Sequence, residues 1–536
     1  MKGFPSWPIY LFLVFIFSCK PKPNETGTIT SPSVSEWPIG VTYEIFVQSF
    51  YDTDGNGIGD FNGLTEKIPY LVDLGVEAVW LMPIMPSPTY HKYDVTDYRA
   101  VHPDYGTMDE FKTFVQQAHE NGIKVVIDLI INHSSVRHPW FQKALENDPQ
   151  FRPYYVWADR DSIADQVNKK ETTGDSGNIT QWHEVEGDDE GELYYGFFWG
   201  GMPDLNFDHQ PLREEIYDIG RFWLTEIGVD GFRLDAAKHI YPDERPEDNH
   251  AFWVEFREEM EKVKPDVYLI GEVWATTEVS APYTRGLHAL FNFDLAFSIL
   301  TSIQSEKSQS AVIAGPSWQV IDSISLVDGF IQNLNAFRAY SPGFINATFL
   351  SNHDQNRVAS MLHAHPEKIK LAASILLTLP GSPYLYYGEE LGMLGMKPDE
   401  MIREPFLWEP RGQDQGRTTW EEPSYSTDDT IKPLSEQQQD PSSIFSHYKR
   451  LMELRRNSNI LTLGEIAPVK NADERLVIYK RTYENEQHMI IHNLSSEPIS
   501  FTMPGAGSGI TFSTSGEDVI NGDNITVSAY SSVILK

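Results

Sequence analysis

Eight short apolar runs, at residues 43–50, 78–83, 124–129, 231–235, 268–273, 289–294, 347–354 and 383–387, recur along this chain, with helix-patterned segments such as 108–121 between them. Runs of this kind read as strands buried on both faces, and alternation with helices makes them parallel strands joined by crossovers. That rhythm predicts an α/β fold, a (β/α)8 TIM barrel, whose functional residues stand where the strands emerge. Single cores rarely grow beyond about 250 to 300 residues, so a chain of 536 residues should hold more than one domain.

The rhythm stops between residues 134 and 208, where a Trp-, Tyr-, Gly- and Asp-rich stretch without helical period is too long for an ordinary connection. It predicts an inserted B domain between the third and fourth strands, dividing barrel domain A into 36–133 and 209–457. After a helix around 444–457, the tail at 458–536 carries alternating segments, 475–481 and 488–493, and predicts an antiparallel β-sandwich. The loop at 397–441 is polar and Pro-rich, the rim of a cleft. At the other end, Lys2 precedes an apolar stretch at 9–17, then Ser18-Cys19 and a Pro/Thr/Ser-rich segment to Ser35. The apolar stretch is shorter than the roughly 20 residues a membrane-crossing helix needs, so 1–18 reads as a secretory signal and 19–35 as a linker. Cys19 is the single cysteine, which rules out an internal disulfide.

Four of the strand ends carry chemistry: Asp128-Leu-Ile-Ile-Asn-His133, Gly231-Phe-Arg-Leu-Asp-Ala-Ala-Lys-His239, Gly271-Glu-Val-Trp274 and Phe349-Leu-Ser-Asn-His-Asp354. Cleaving a glycosidic bond takes one carboxylic acid to protonate the leaving oxygen and one carboxylate to stabilise or capture the sugar carbon. Asp235 and Glu272, on consecutive strands, are the natural pair. Arg233 lies two residues before Asp235, on the same side of its strand, and keeps it ionised. Glu272, in a drier setting against Trp274, should have a raised pKa and begin the cycle protonated. A lone Asp at a strand end is more often a helix N-cap; that reading fails to explain why all these groups fall at strand ends in one order.

On these four segments the chain resembles the α-amylase family, glycoside hydrolase family 13, from about Trp37 to the C-terminus. The resemblance implies Asp235 as nucleophile, Glu272 as general acid/base and Asp354 as a third carboxylate gripping sugar hydroxyls. It also implies sugar-binding roles for Tyr93, His133, Arg233 and His353. Met202-Pro-Asp-Leu-Asn206 is similar to the segment of enzymes intermediate between the oligo-1,6-glucosidase and neopullulanase groups. Lys238-His239 resembles a pair that in α-amylases contacts glucose units on the leaving-group side. Asp94 and Arg357 resemble residues that in exo-acting relatives help close the far end of the site. The expected activity is retaining, endo-acting hydrolysis of α-1,4-glucosidic bonds in starch and maltooligosaccharides. An exo-acting α-glucosidase, a transglycosylase, and a non-catalytic sugar-binding or transport-accessory protein stay open as alternatives. Ile16-Phe-Ser-Cys19 resembles a relaxed bacterial lipobox, implying lipidation of Cys19 and an extracytoplasmic, lipid-anchored protein, with a simply secreted or periplasmic one as the alternative.

The loop Asp52-Thr-Asp-Gly-Asn-Gly-Ile-Gly-Asp60 sets oxygen ligands at alternate positions with glycines between, as hard cations require, though Gly63 stands where an EF-hand would place its bidentate Glu. Family relatives carry calcium in such a loop, which implies ligation by Asp52, Asp54, Asn56, Asp60 and the Ile58 carbonyl, in a structural role. Forty-two basic against 77 acidic residues give a formal charge of -35, which excludes nucleic acid as a partner, since phosphates demand a basic surface. The expected partner is an α-glucan, membrane contact coming only from the acyl anchor; a monomer is the simplest expectation.

Overall fold

The computed structural model describes Gly3 and residues 37–170, 179–185, 191–470, 473–504 and 509–536. The chain divides into two units, Met1–Pro32 and Ser33–Lys536. Cys19 and the apolar stretch before it lie outside the described residues. Among the described residues, no helix is long and apolar enough to cross a membrane.

Eight strands close into a barrel: β1 (Thr42–Ile45), β2 (Ala78–Leu81), β3 (Lys124–Leu129), β4 (Gly231–Leu234), β5 (Tyr268–Gly271), β6 (Ala289–Phe291), β7 (Ile345–Thr348) and β8 (Ser382–Tyr386). Every neighbouring pair is parallel, and β8 pairs with β1. Burial on both faces accounts for the unbroken apolar character of β2, Ala-Val-Trp-Leu. The crossover helices read as expected: Met108–Glu120 buries Phe111, Phe114, Val115 and Ala118 at helical spacing, and Thr107 with Glu110 forms a capping box at its start.

Most of the strands are shorter than the apolar runs that announce them. The run at 43–50 is strand only to Ile45 and then turns into a 3-10 helix, Val47–Ser49. The run at 347–354 begins as β7 at Ile345 and leaves the sheet after Thr348. Asp235 and Glu272 directly follow the last residues of their strands, and Asp354 lies six residues past the end of β7 at Thr348, so all three stand at the strand ends where side chains can turn into a cavity.

Between β3 and β4 the chain forms a helix, Pro139–Leu145, and a three-stranded antiparallel sheet of Trp157–Asp159, Glu192–Tyr195 and Trp182–Glu184. The tail forms a five-stranded antiparallel sheet facing a three-stranded one. Leu476, Ile478, Met489 and Ile491 point into the space between these sheets, whereas Val477, Tyr479 and Ile490 join the main core, so the larger sheet is buried on both faces. At the seam, buried Arg455 donates to the carbonyls of Leu377, Leu379 and Gly381, and Arg481 to those of Thr378 and Gly464. Both cations thus satisfy carbonyls at the C-terminus of the helix Pro366–Thr378, where the helix dipole favours positive charge.

Candidate active site

The site grows from one cross-strand pair. Asp128 on β3 and Arg233 on β4 are register partners, and Arg233 Nη1 donates to Asp128 Oδ1 (2.9 Å). Alternation along β4 puts Asp235 on the same side as Arg233, and Nη1 also reaches Asp235 Oδ1 (2.5 Å). The second terminal nitrogen, Nη2, reaches Glu272 Oε2 (2.7 Å) on the neighbouring strand end. A single buried, planar guanidinium therefore draws the two carboxylates together. The fork serves Glu272 as well as Asp235, a sharing absent from the sequence expectation. Glu272 nonetheless stays distinct: desolvation in the cavity, reinforced by the charges of Asp235 and Asp354 and opposed by Arg233, pushes its pKa up to about 7.

Ala236, directly after Asp235, has φ 47°, the left-handed region that costs a non-glycine residue about 1 to 2 kcal/mol. The strain is held by two bonds, Glu272 N to Leu234 O (3.0 Å) and Ala237 N to Glu272 O (3.0 Å). The tight turn they lock carries Lys238 and His239 into the cavity. His239 stacks on Phe197 at 3.8 Å, and Lys238 pairs with Asp243 (3.0 Å).

Opposite stands Asp354, its side chain 43% exposed. Behind it His353 is fully buried between Glu44 (Nδ1 to Oε1, 2.6 Å) and Asp354 (Nε2 to Oδ2, 2.9 Å). Burial alone would lower the His353 pKa, but Asp354 and then Glu44 raise it to about 10, so the ring is an imidazolium at neutral pH. Desolvation works against ionising Asp354, yet His353 and then Arg403 hold its carboxyl well below the usual range. Tyr93 lies parallel to His353, with its hydroxyl 2.6 Å from Nε2, and donates to Asp128 (3.2 Å). His133 lines the cavity as a neutral ring, its pKa lowered by burial, and donates Nε2–H to Tyr93 O (3.2 Å).

Asp235, Glu272, Asp354, Tyr93, His133, Lys238 and His239 thus surround one cavity of about 530 Å³, with Arg233 and His353 beneath its surface. Asp94 and Arg357 are not brought to it. Asp94 is buried in its own loop, accepting from Ser87 (2.6 Å), Thr89 and Ser135. Arg357 is buried among carbonyls, donating to Tyr387 O (2.7 Å) and Ile402 O (2.9 Å) against the rings of Tyr386 and Tyr387. This corrects the expectation that they close the far end: a buried group spends its donors on the backbone instead. That end is walled by Lys397, Asp399 and Arg403, from the loop read as a polar rim. Arg403 is buried and links Asp354 (3.1 Å), Asp399 (3.1 Å) and His353 O (3.0 Å). Sequence reasoning gave no site role to Phe198, Trp199 and Met202, which line the cavity, Phe198 beside His239; the cluster Phe197-Phe-Trp-Gly-Gly-Met202 was the available signal.

At Asp52–Asp60 the structure gives a fit for a hard cation. Carboxylate oxygens of Asp52, Asp54 and Asp60 all lie within 4.8 Å of one another, so without positive charge between them they repel. The loop is pinned to the barrel rim by Asp52 N to Gly416 O (2.9 Å) and Thr419 N to Gly57 O (2.8 Å). Gly57 is required there: its φ is 91°, and a Cβ would meet Thr419 Oγ1 at 2.5 Å.

With this geometry in place, comparison with known proteins is decisive. The model of the α-amylase catalytic domain matches residues 44–464, and that of the C-terminal domain of the α-amylase SusG matches 476–534. The chain belongs to the α-amylase family. It is a hydrolase of glycoside hydrolase family 13, similar to α-amylase 3 of Dictyoglomus thermophilum at 42% identity over 456 residues, 85% of this chain and 84% of that protein. It is also similar to the 4-α-glucanotransferase of Thermotoga maritima at 34% identity, over 86% of this chain and 97% of that protein. The solved structure of the α-amylase from H. orenii superposes with a TM-score of 0.82 at 38% identity, covering 92% of this chain and 98% of its own. The α-amylase family thus accounts for both the barrel and the sheet domain behind it.

Proposed function

We propose that this family member is a retaining, endo-acting α-amylase that cleaves α-1,4-glucosidic bonds in starch and maltooligosaccharides. The observation that carries this is the Arg233 fork, which holds Asp235 and Glu272 side by side while their surroundings keep one of them protonated near neutral pH. Asp235 attacks the anomeric carbon as Glu272 delivers its proton to the leaving oxygen, giving a glycosyl ester; Glu272, now ionised, then takes a proton from the water that hydrolyses the ester. Asp354, kept ionised by His353 and Arg403, accepts hydrogen bonds from hydroxyls of the sugar under attack. Endo action is supported by Lys238, His239 and Trp199 extending the cavity on the leaving-group side. An early time course on amylose should therefore yield intermediate oligosaccharides and rapid loss of iodine staining. Glucose as the only product would move the enzyme to an α-glucosidase.

The loop at 52–60 is proposed to hold calcium through Asp52, Asp54 and Asp60 with Asn56 and the Ile58 carbonyl. Bound there, the ion would supply positive charge that relieves the repulsion among the three carboxylates, in a loop that two backbone hydrogen bonds already join to the segment at 416–419. Free calcium at a hundredfold excess over its Kd adds about 2.7 kcal/mol to folding stability. Chelation should accordingly lower Tm and calcium restore it; a purified protein without bound calcium and with an unmoved Tm would remove the site. We further propose, from the Lys2 to Cys19 segment alone, an extracytoplasmic enzyme anchored by acyl chains on Cys19.

A further inference from the structure

Lys92 occupies a position that does not suit a lysine. It lies between His91 and Tyr93, which both line the catalytic cavity, yet it is itself only 2% exposed. Its φ is 63°, in the left-handed region that glycine adopts without strain. The ammonium is held by neutral acceptors, donating to Gln48 Oε1 (3.0 Å) and Tyr90 O (3.3 Å), and it lies 4.6 Å from the centroid of the Tyr105 ring. Burial pushes its pKa down to about 8, against the opposing pull of Asp104 and then Asp94. A strained backbone and a desolvated cation at one residue both oppose folding, and such features persist where a site needs its geometry fixed.

We infer that Lys92 is a positioning residue which, without touching the sugar, holds Asp354 in place by clamping the segment 90–93 to the turn after β1. The inference rests on the reading of Asp354 as the carboxylate that grips the sugar under attack, and deepens it. Two lines of contact lead from the clamp to that carboxylate. Forward along the chain, Tyr93 lies flat against His353 with its hydroxyl 2.6 Å from Nε2, and the same nitrogen reaches Asp354 Oδ2 (2.9 Å). Backward, Tyr90 stacks on Trp420 (5.3 Å) and its hydroxyl accepts from Arg403 Nη1 (3.5 Å), whose other terminal nitrogen donates to Asp354 Oδ1 (3.1 Å). Both cations that fix Asp354 are thus braced by a tyrosine, and Lys92 ties the two tyrosines to one point. That point is firm. Gln48 sits in the 3-10 turn Val47–Ser49, where its carbonyl accepts from Gly59 N (3.0 Å) and the Ser49 hydroxyl donates to Arg403 O (2.5 Å). Glycine at position 92 would suit the backbone but would leave the segment 90–93 without its bond to Gln48.

The test is Lys92→Gly, which relieves the strain and removes the buried charge, so that Tm should stay at or above that of the parent. On maltoheptaose its kcat should fall roughly tenfold with KM within about twofold, because the grip of Asp354 tightens only as the sugar distorts toward the transition state. Gln48→Leu leaves the ammonium buried without its acceptor and should lower both kcat and Tm. In the double variant Tm should recover while kcat stays at the level of Lys92→Gly, since the two residues act through one bond. Parental kcat in Lys92→Gly, a loss confined to KM, additive losses in the double variant, or a loss of kcat that vanishes well below Tm would each overturn the proposal. Asp354→Asn, measured alongside, separates the two readings: an inactive Asp354→Asn with a fully active Lys92→Gly defeats only the clamp, whereas Asp354→Asn as active as the parent defeats the role of Asp354 itself.

Discussion

Asp235→Asn is expected to lower kcat on maltoheptaose by roughly four orders of magnitude or more while the variant still binds the substrate. The amide keeps the shape of the carboxylate but forms no stable bond to the anomeric carbon. Binding should survive because the cavity presents many other groups to a sugar, among them Tyr93, His133, Asp354 and Trp199. The fold should survive as well, since Arg233 retains Asp128 and Glu272 as partners. A second consequence is electrostatic. The Asp235 charge is one of the causes that raise the Glu272 pKa, so its removal should move that titration to lower pH. Residual activity within tenfold of the parent, or loss of maltooligosaccharide binding along with activity, would remove Asp235 from the nucleophile's role.

The second large effect belongs to Glu272. Positioned proton transfer contributes about 10² to 10⁴ in rate, and Glu272→Gln should lose that range on maltoheptaose, whose leaving group needs a proton. On α-maltosyl fluoride, whose leaving group departs without one, bond cleavage should be nearly spared. The pH dependence follows from the same group. The working form of Glu272 is protonated, and with its pKa at about 7 the parent should lose kcat/KM as pH rises through 7 while the proton is still held below it. That alkaline limb should be missing in Glu272→Gln. Equal losses on both substrates, or an unchanged limb, would assign the acid elsewhere.

How much of this could be read beforehand depended on what a residue does in the backbone. β3 was legible to the residue, Lys124–Leu129, because its buried stretch from Val125 to Leu129 is apolar apart from Asp128. Strand ends were overrun by a few residues, since Phe349 and Leu350 stay buried after β7 has left the sheet and burial is all that composition reports. Asp235, Glu272 and Asp354 stood out because strand ends concentrate them. Arg403 did not, because its loop has no period: buried Glu404 holds it by accepting from the N–H groups of Ser424, Tyr425 and Ser426, bonds that leave no pattern in the sequence. Asp94 and Arg357 misled for the opposite reason, since a charged residue beside a site looks the same in sequence whether it faces the cavity or is spent on hydroxyls and carbonyls behind it.

The central claim is a double displacement through Asp235 and Glu272, and the anomer of the first product reports on it most directly. Proton NMR of maltoheptaose cleavage, recorded before mutarotation, should show new reducing ends as the α-anomer, because two successive inversions at the same carbon restore its configuration. Appearance of the β-anomer first would mean that water, not Asp235, attacks the sugar, and would contradict the assignment of both carboxylates.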